Sequence, residues 1–243
     1  MGKLIKLNNE KRTIFIGDIH GDIKSVERIL KLYPPEENRL VFLGDYVDRG
    51  EYSKEVVDKL FNLEEKFFDN IVLLMGNHEA FPIIKCSPSN FWDVVKLKKE
   101  EYSFYVKKLI NLPLAVEMEN ILTIHGAVPD INNVEEINDI NMSSEDKKFI
   151  DTIWGDFEEG IFSPYVDPFS GRPKFGENYF DNIMKKLNKK ILIRAHDPKA
   201  DVIMFNNRCI TLITSIYYGS RRIAVIEKGV NPESIKDIKI QFL

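Results

Sequence analysis

Three short apolar runs in the first third of the chain each give way to a glycine followed at once by Asp or Asn, and this pattern constrains the fold more than any other feature. Thr13 to Gly17 ends at Asp18, Leu40 to Leu43 ends at Gly44-Asp45, and Ile71 to Met75 ends at Gly76-Asn77-His78. Apolar runs of this length, bounded by turn residues, read as buried strands. Between them Ile23, Val26, Ile29, Leu30 and Tyr33 recur at helical spacing and stop at Pro34-Pro35. Val56, Val57, Leu60, Phe61, Phe67 and Phe68 fit the inner face of a second helix. Strand, helix, strand, helix, strand is the signature of βαβ units on a parallel sheet. The carboxyl ends of such strands form the ligand crevice. The three strand ends therefore deliver Asp18, His20, Asp45, Asp48, Asn77 and His78 to one edge.

The remainder reads differently. Residues 80 to 112 carry Pro82, Pro88 and a charged-aromatic stretch, expected to be a packed helical insertion rather than a substrate-facing lid. Leu114 to Met118 and Ile121 to His125 flank Glu119-Asn120 and predict a hairpin. Glu158 to Pro173, rich in Gly, Pro, Ser and Asp, predicts a loop. Tyr179, Phe180, Ile183, Met184 and Leu187 form a helical stripe, and Ile191 to Arg194 is a strand that ends at His196. Val202 to Phe205, Cys209 to Thr214, Arg221 to Ile226 and Ile235 to Phe242 read as further strands, mostly antiparallel. The expected fold is α/β: two mixed sheets packed as a sandwich, flanked by helices, in a single domain over residues 1–243.

Composition narrows the function classes. A net charge of −4 argues against a general nucleic-acid binder while allowing a locally positive pocket. Cys86 and Cys209 lie far apart and form no CxxC, which favours a reducing compartment over a disulfide framework. No apolar run is long enough to span a bilayer, and Met-Gly-Lys-Leu-Ile-Lys does not resemble a signal peptide, so a cytoplasmic location is expected, with neither membrane nor nucleic acid as a partner.

All four histidines fall in short polar motifs: Gly-Asp-Ile-His-Gly (17–21), Gly-Asn-His-Glu (76–79), Ile-His-Gly (124–126) and Arg-Ala-His-Asp (194–197). A fifth motif, Gly-Asp-Tyr-Val-Asp-Arg-Gly (44–50), adds two aspartates and an arginine. Carboxylate, amide carbonyl and imidazole together suit Mn, Fe or Zn better than Mg or Ca. The donors are too many for one tetrahedral zinc but enough for two ions sharing a ligand. Such ions lie about 3.5–4 Å apart and activate water for attack on phosphorus. Arg49 and Arg172 are candidate clamps for the phosphate oxygens. Each motif alone has a plain reading: Asp18 as part of a turn or cap, Gly76-Asn77 as a turn, His125 as a satisfied half-buried histidine, Arg194 as a solvated strand-edge residue, and Asp48-Arg49-Gly50 as a surface loop. Five such readings in this order, consuming every histidine, are improbable together.

The order GDIHG, GDYVDRG, GNHE, HG, RAH resembles the PPP family of metal-dependent serine/threonine phosphoprotein phosphatases, within the calcineurin-like metallophosphoesterases, from about Thr13 to Gly219. The resemblance implies a helix-flanked β-sandwich. It also implies that Asp18 and His20 bind one metal, Asp45 bridges two, and Asn77, His125 and His196 complete the second. It makes His78 the general acid, oriented by Asp48, and assigns Arg49 and Arg172 to the phosphate. Tyr218 resembles the tyrosine of the family's C-terminal substrate loop, with Tyr217 as its rival. Two divalent ions are implied, Mn before Fe or Zn, and a phosphoprotein or phosphopeptide partner. The chain departs from the family at Ala127, where a second glycine is usual and a positive φ would be costly. It departs again in the compressed loop around Arg172 and in the absence of a Pro-Asn pair near Tyr218. A compact microbial or archaeal type is expected. The alternatives are a dinucleoside polyphosphate hydrolase, which shares the early motifs, and a non-enzymatic phosphate-binding scaffold. A nuclease or phosphodiesterase would carry Gly-His-x-His where this chain has Arg194-Ala195-His196-Asp197.

Overall fold

The structure is a computed structural model that describes residues 2–219 and 221–243. Its first half runs β1 (Leu4–Lys6), β2 (Arg12–Ile16), α1 (Ile23–Leu32), β3 (Asn38–Phe42), α2 (Ser53–Lys66), β4 (Ile71–Leu73), α3 (Asn90–Val95), α4 (Lys99–Leu109), β5 (Ala115–Glu117) and β6 (Ile121–Ile124). The second half runs α5 (Lys147–Trp154), β7 (Asp156–Phe157), β8 (Tyr165–Val166), β9 (Pro173–Phe175), α6 (Glu177–Lys186), β10 (Ile191–Arg194), β11 (Ile203–Met204), β12 (Cys209–Thr211), β13 (Arg222–Ile226) and β14 (Lys239–Phe242).

The strands build two mixed sheets, one ordered β1-β5-β6-β10-β12-β11 and the other β14-β13-β2-β3-β4. The β2–β3–β4 core is parallel, with Ile16 opposite Phe42 and Phe42 opposite Leu73, so its three carboxyl ends are level. In the other sheet β6, β10 and β12 are parallel, and Ile193 stands opposite both Thr123 and Ile210. Alternation along each strand gives each sheet two apolar faces. Phe15, Val41, Leu43, Val72 and Leu74 of one sheet pack against Val116, Ile121, Ile191, Ile193 and Ile210 of the other, forming the seam of the sandwich. The opposite parity (Ile14, Ile16, Leu40 and Phe42) packs under Val26, Ile29, Val57 and Leu60 of α1 and α2. Each such side chain, fully buried, contributes about 1.5–3 kcal/mol. Two mixed sheets packed face to face, with α1 and α2 on an outer face, agree with the fold expected from the sequence.

Three local expectations are corrected. The loop expected over 158–173 contains β8 and leads into β9, part of a small sheet ordered β7-β9-β8. Its anchor is an aromatic cluster: Phe157 lies 5.9 Å from Phe175 and 5.5 Å from Phe180, ring centre to ring centre. The two residues of β8 are exposed and show no periodicity that a sequence window could detect. Ile235 to Phe242 is not one strand: Ser234 and Asp237 form a capping box that opens a 3-10 turn, and β14 begins only at Lys239. Strand β12 ends at Thr211 rather than Thr214, because Ile213 and Thr214 turn to meet Asp18 and Gly17. Strand β1 and helix α5 were not read from the sequence. No helix among the described residues is long and apolar enough to cross a membrane.

Candidate active site and metal centre

The level ends of β2, β3 and β4 bring the first three motifs into backbone contact. A Cβ on Gly44 would sit 2.5 Å from the Gly76 nitrogen and 2.9 Å from His125 Nδ1, and one on Gly76 would sit 2.3 Å from Asp45 Oδ1. Only glycine fits at either position. Five other residues take positive φ here: His20 at 45°, Asp45 at 55°, Asp48 at 65°, Arg49 at 67° and His196 at 74°. Such conformations cost about 1–3 kcal/mol each and persist where surrounding structure over-determines them. At Asp45 it does: its carbonyl accepts the N–H groups of Ile19 (3.0 Å) and His20 (2.8 Å).

The aspartates and histidines converge. Asp45 Oδ2 lies 3.6 Å from His20 Nε2 and Asp45 Oδ1 lies 3.5 Å from His125 Nε2, so one carboxylate faces two different imidazoles. Asp18 Oδ2 is 3.8 Å from His20 Nε2, and Asp18 Oδ1 accepts the His196 N–H at 3.1 Å. Asn77 Oδ1 is 3.2 Å from His125 Nε2. The Nδ1 atoms of His20 and His125 rest on the carbonyls of Val47 and Leu43, each at 2.8 Å, which fixes both rings with Nε2 inward. His196 lies 5.0 Å from His125, ring to ring.

The residues present fit divalent cations. Asp18 Oδ2 and both ring nitrogens of His196 are buried without a hydrogen-bond partner among the described residues. Burial, then Asp45, pushes the Asp18 carboxyl up to about 7, and burial raises Asp45 as well. Burial pushes His20, His125 and His196 down, keeping them in the neutral form that ligates. Buried carboxylates lacking a counter-charge, beside neutral imidazoles with free lone pairs, are a donor set that an added cation would satisfy. Asp45, His125 and His196 form one group spaced for an ion, and His20, Asp45 and His78 another.

His78 differs from the other three in its support, because its Nδ1 sits 2.7 Å from the buried Asp48 carboxylate. Burial, then Arg49, lowers its pKa to about 3, while burial raises that of Asp48 to about 7. Arg49, Arg172, His78, Asn77, Asp45, His196 and Tyr218 all line one cavity of about 720 Å³. The Arg49 guanidinium lies 5.6 Å from the Tyr218 ring, which is itself 5.7 Å from the His20 ring. Tyr217 is 58% exposed, whereas Tyr218 lines the cavity, so the geometry favours Tyr218 of the two. Arg172 is held between Trp154 (5.4 Å to the ring) and Asp156 (3.4 Å). Ala127 is not among the residues with positive φ, and its methyl occupies the space a Cβ on Gly155 would need, at 2.6 Å.

Two buried carboxylates were missed by sequence reasoning. Glu79 Oε2 accepts the N–H groups of Asp45 (2.6 Å) and Gly76 (2.9 Å), and its Oε1 accepts that of Tyr46 (2.9 Å). Its place in Gly-Asn-His-Glu was a signal that could have found it. Asp156 sits among Lys174 (3.0 Å), Arg194 (3.3 Å), Arg172 (3.4 Å) and His196 Nε2 (3.7 Å), and no local pattern announces it.

Comparison with known proteins gives the relatives and the family of this chain. The chain is 32% identical over 194 residues to the serine/threonine-protein phosphatase 4 catalytic subunit of Kluyveromyces lactis, which covers 74% of this chain and 60% of that one, so the chain spans well under two thirds of its relative. Among solved structures, a Saccharomyces cerevisiae protein serine/threonine phosphatase with similarity to human phosphatase PP5 superposes with a TM-score of 0.81 at 20% identity, covering 99% of this chain and 83% of the other. A cold-active protein tyrosine phosphatase gives 0.67 at 20% identity over 93% and 76% of the two chains. A putative diadenosine tetraphosphatase gives 0.58 at 18% over 100% and 98%. At these identities the structures speak for the fold alone. The calcineurin-like phosphoesterase family model matches residues 11–200, most of the chain and every motif described above, and the chain belongs to that family.

Proposed function

We propose that this chain hydrolyses phosphate monoesters of phosphoserine and phosphothreonine in proteins, using two divalent ions. The observation that carries the reading is the Asp45 carboxylate facing His20 with one oxygen and His125 with the other, inside the cavity that Arg49, Arg172 and His78 also line. Family membership implies divalent metal ions. In this reading Asp18, His20 and Asp45 hold one ion and Asp45, Asn77, His125 and His196 the other, with Mn the first candidate and Fe or Zn next for such mixed donors. When bound, the ions neutralise phosphate charge and activate water for in-line attack.

The chain's own groups supply the rest. Arg49 and Arg172 bind the non-bridging phosphate oxygens, and Trp154 with Asp156 holds the Arg172 fork in one orientation. Asp48 engages His78 Nδ1, which leaves Nε2 to protonate the leaving alkoxide. Burial and Arg49 disfavour the imidazolium. A dianionic phosphate in the cavity offsets both and charges the acid when substrate is present. The Tyr218 ring, beside Arg49 and His20, borders the bound phosphoryl group.

The test is a substrate comparison on metal-loaded protein: phosphoserine, phosphothreonine and phosphotyrosine peptides against diadenosine tetraphosphate. Turnover of the first two is expected to dominate. Preferential cleavage of the dinucleotide would replace this reading with a dinucleoside polyphosphate hydrolase, and binding without turnover would leave a phosphate-binding scaffold.

A further inference from the structure

The insertion between the third and fourth motifs touches the site through three consecutive residues. Asn90 Oδ1 accepts the Arg49 N–H at 2.7 Å. The Phe91 N–H donates to Asp48 Oδ1 at 2.8 Å, on the oxygen not used by His78. Trp92 Nε1 donates to the His78 carbonyl at 2.8 Å. Each of these residues therefore restrains a different member of the set Arg49, Asp48 and His78. Two of the three restrained residues, Asp48 and Arg49, carry positive φ and need external bonds to hold that conformation.

The brace is itself anchored. The Trp92 ring is fully buried, stacks on Phe81 with centroids 5.5 Å apart and planes 15° apart, and meets Phe91 and Tyr102 edge-on at 5.2 and 6.0 Å. Phe91 in turn meets Tyr105 of α4 at 5.1 Å. The charged-aromatic composition of this stretch thus yields a rigid block whose inner edge carries one acceptor and two donors.

We propose that Asn90, Phe91 and Trp92 are positioning residues: Asn90 sets the phosphate clamp through the Arg49 backbone, while Phe91 and Trp92 set the proton donor through Asp48 and His78. The inference rests on the proposed roles of Arg49 and His78. It gives the insertion a function that is neither a lid nor packing alone.

Asn90 is solvent-exposed, so replacing it leaves the core intact. In metal-loaded protein, Asn90→Leu removes the acceptor, and affinity for inorganic phosphate measured by calorimetry is expected to fall about tenfold as Arg49 shifts. Asn90→Asp keeps the acceptor and is expected to restore most of that affinity. Trp92→Phe removes one donor while keeping an aromatic ring. Its turnover is expected to fall about tenfold further on a phosphoserine peptide than on p-nitrophenyl phosphate, because an alkoxide needs a proton to leave and a nitrophenolate does not. Purely structural damage would slow both substrates alike and would show in the thermal midpoint. Phosphate affinity within about twofold of wild type in Asn90→Leu, with equal losses on both esters in Trp92→Phe, would overturn the proposal. Wild-type protein that cleaves neither monoester would instead sink the functional reading, and phosphate affinity alone would then decide the brace.

Discussion

Glu79→Leu is the perturbation whose cost follows most directly from the structure. The Glu79 side chain is fully buried, and its two oxygens accept three backbone N–H groups, from Asp45, Tyr46 and Gly76. These belong to the two loops that carry Asp45 and Asn77. Leucine fills similar volume but accepts nothing, and the backbone around Gly76 is tightly packed. A buried donor left unsatisfied costs about 1–3 kcal/mol, so three orphans amount to roughly 3–9 kcal/mol, less whatever is regained by no longer burying a carboxylate beside Asp45. Burial, then Asp45, raises the Glu79 carboxyl, so that recovered cost is real and the lower half of the range is the better expectation. At about 2–4 °C per kcal/mol for a protein of this size, a loss of about 3–6 kcal/mol should drop the thermal midpoint by roughly 6–24 °C. The assay is calorimetric unfolding of metal-free protein, which keeps ion binding out of the comparison. A midpoint within about 2 °C of wild type would refute the reasoning, because it would mean these donors had found other partners or were never committed to the carboxylate.

Three further outcomes are expected. Asp156→Asn removes the charge set among Arg194, Arg172 and Lys174, leaving Arg194 fully buried without its counter-ion. Stability from urea unfolding should fall by about 3–5 kcal/mol, and a change below about 1 would contradict the buried ion pair. His78→Asn should lower turnover steeply, by about 10²–10⁴-fold, while two metals remain bound on elemental analysis; loss of metal would reassign His78 as a ligand. Chelation of metal-loaded protein should lower the thermal midpoint by several degrees, since an ion held at 100 times its dissociation constant adds about 2.7 kcal/mol, whereas an unchanged midpoint would argue against a built metal centre.

What could be read without coordinates was local and periodic. The β2–α1–β3–α2–β4 run announced itself because buried parallel strands are apolar throughout and helices repeat every three to four residues. The βαβ rule puts the carboxyl ends of such strands at one edge of the sheet, and Asp18, Asp45 and Asn77 with them. Short elements escaped. Strand β8 is two exposed residues, and β1 is three, fixed by pairing with β5 across more than a hundred residues of chain. Pairing partners at that separation leave no mark within a sequence window.

The sequence by itself determined the donor inventory and its order: which residues could ligate, which could clamp phosphate, and that they leave strand ends through glycines. It left the four histidines chemically alike, and only resemblance divided them. Tertiary structure supplied a physical division, because the atom behind each ring is set by distant chain. Carbonyls of Val47 and Leu43 stand behind His20 and His125, the Asp48 carboxylate stands behind His78, and His196 has neither ring nitrogen hydrogen-bonded among the described residues. The supporting groups, Glu79, Asp156 and the Asn90–Trp92 brace, likewise act through backbone amides and buried charge. Those interactions depend on three-dimensional proximity and desolvation, neither of which is a property of residue type or spacing.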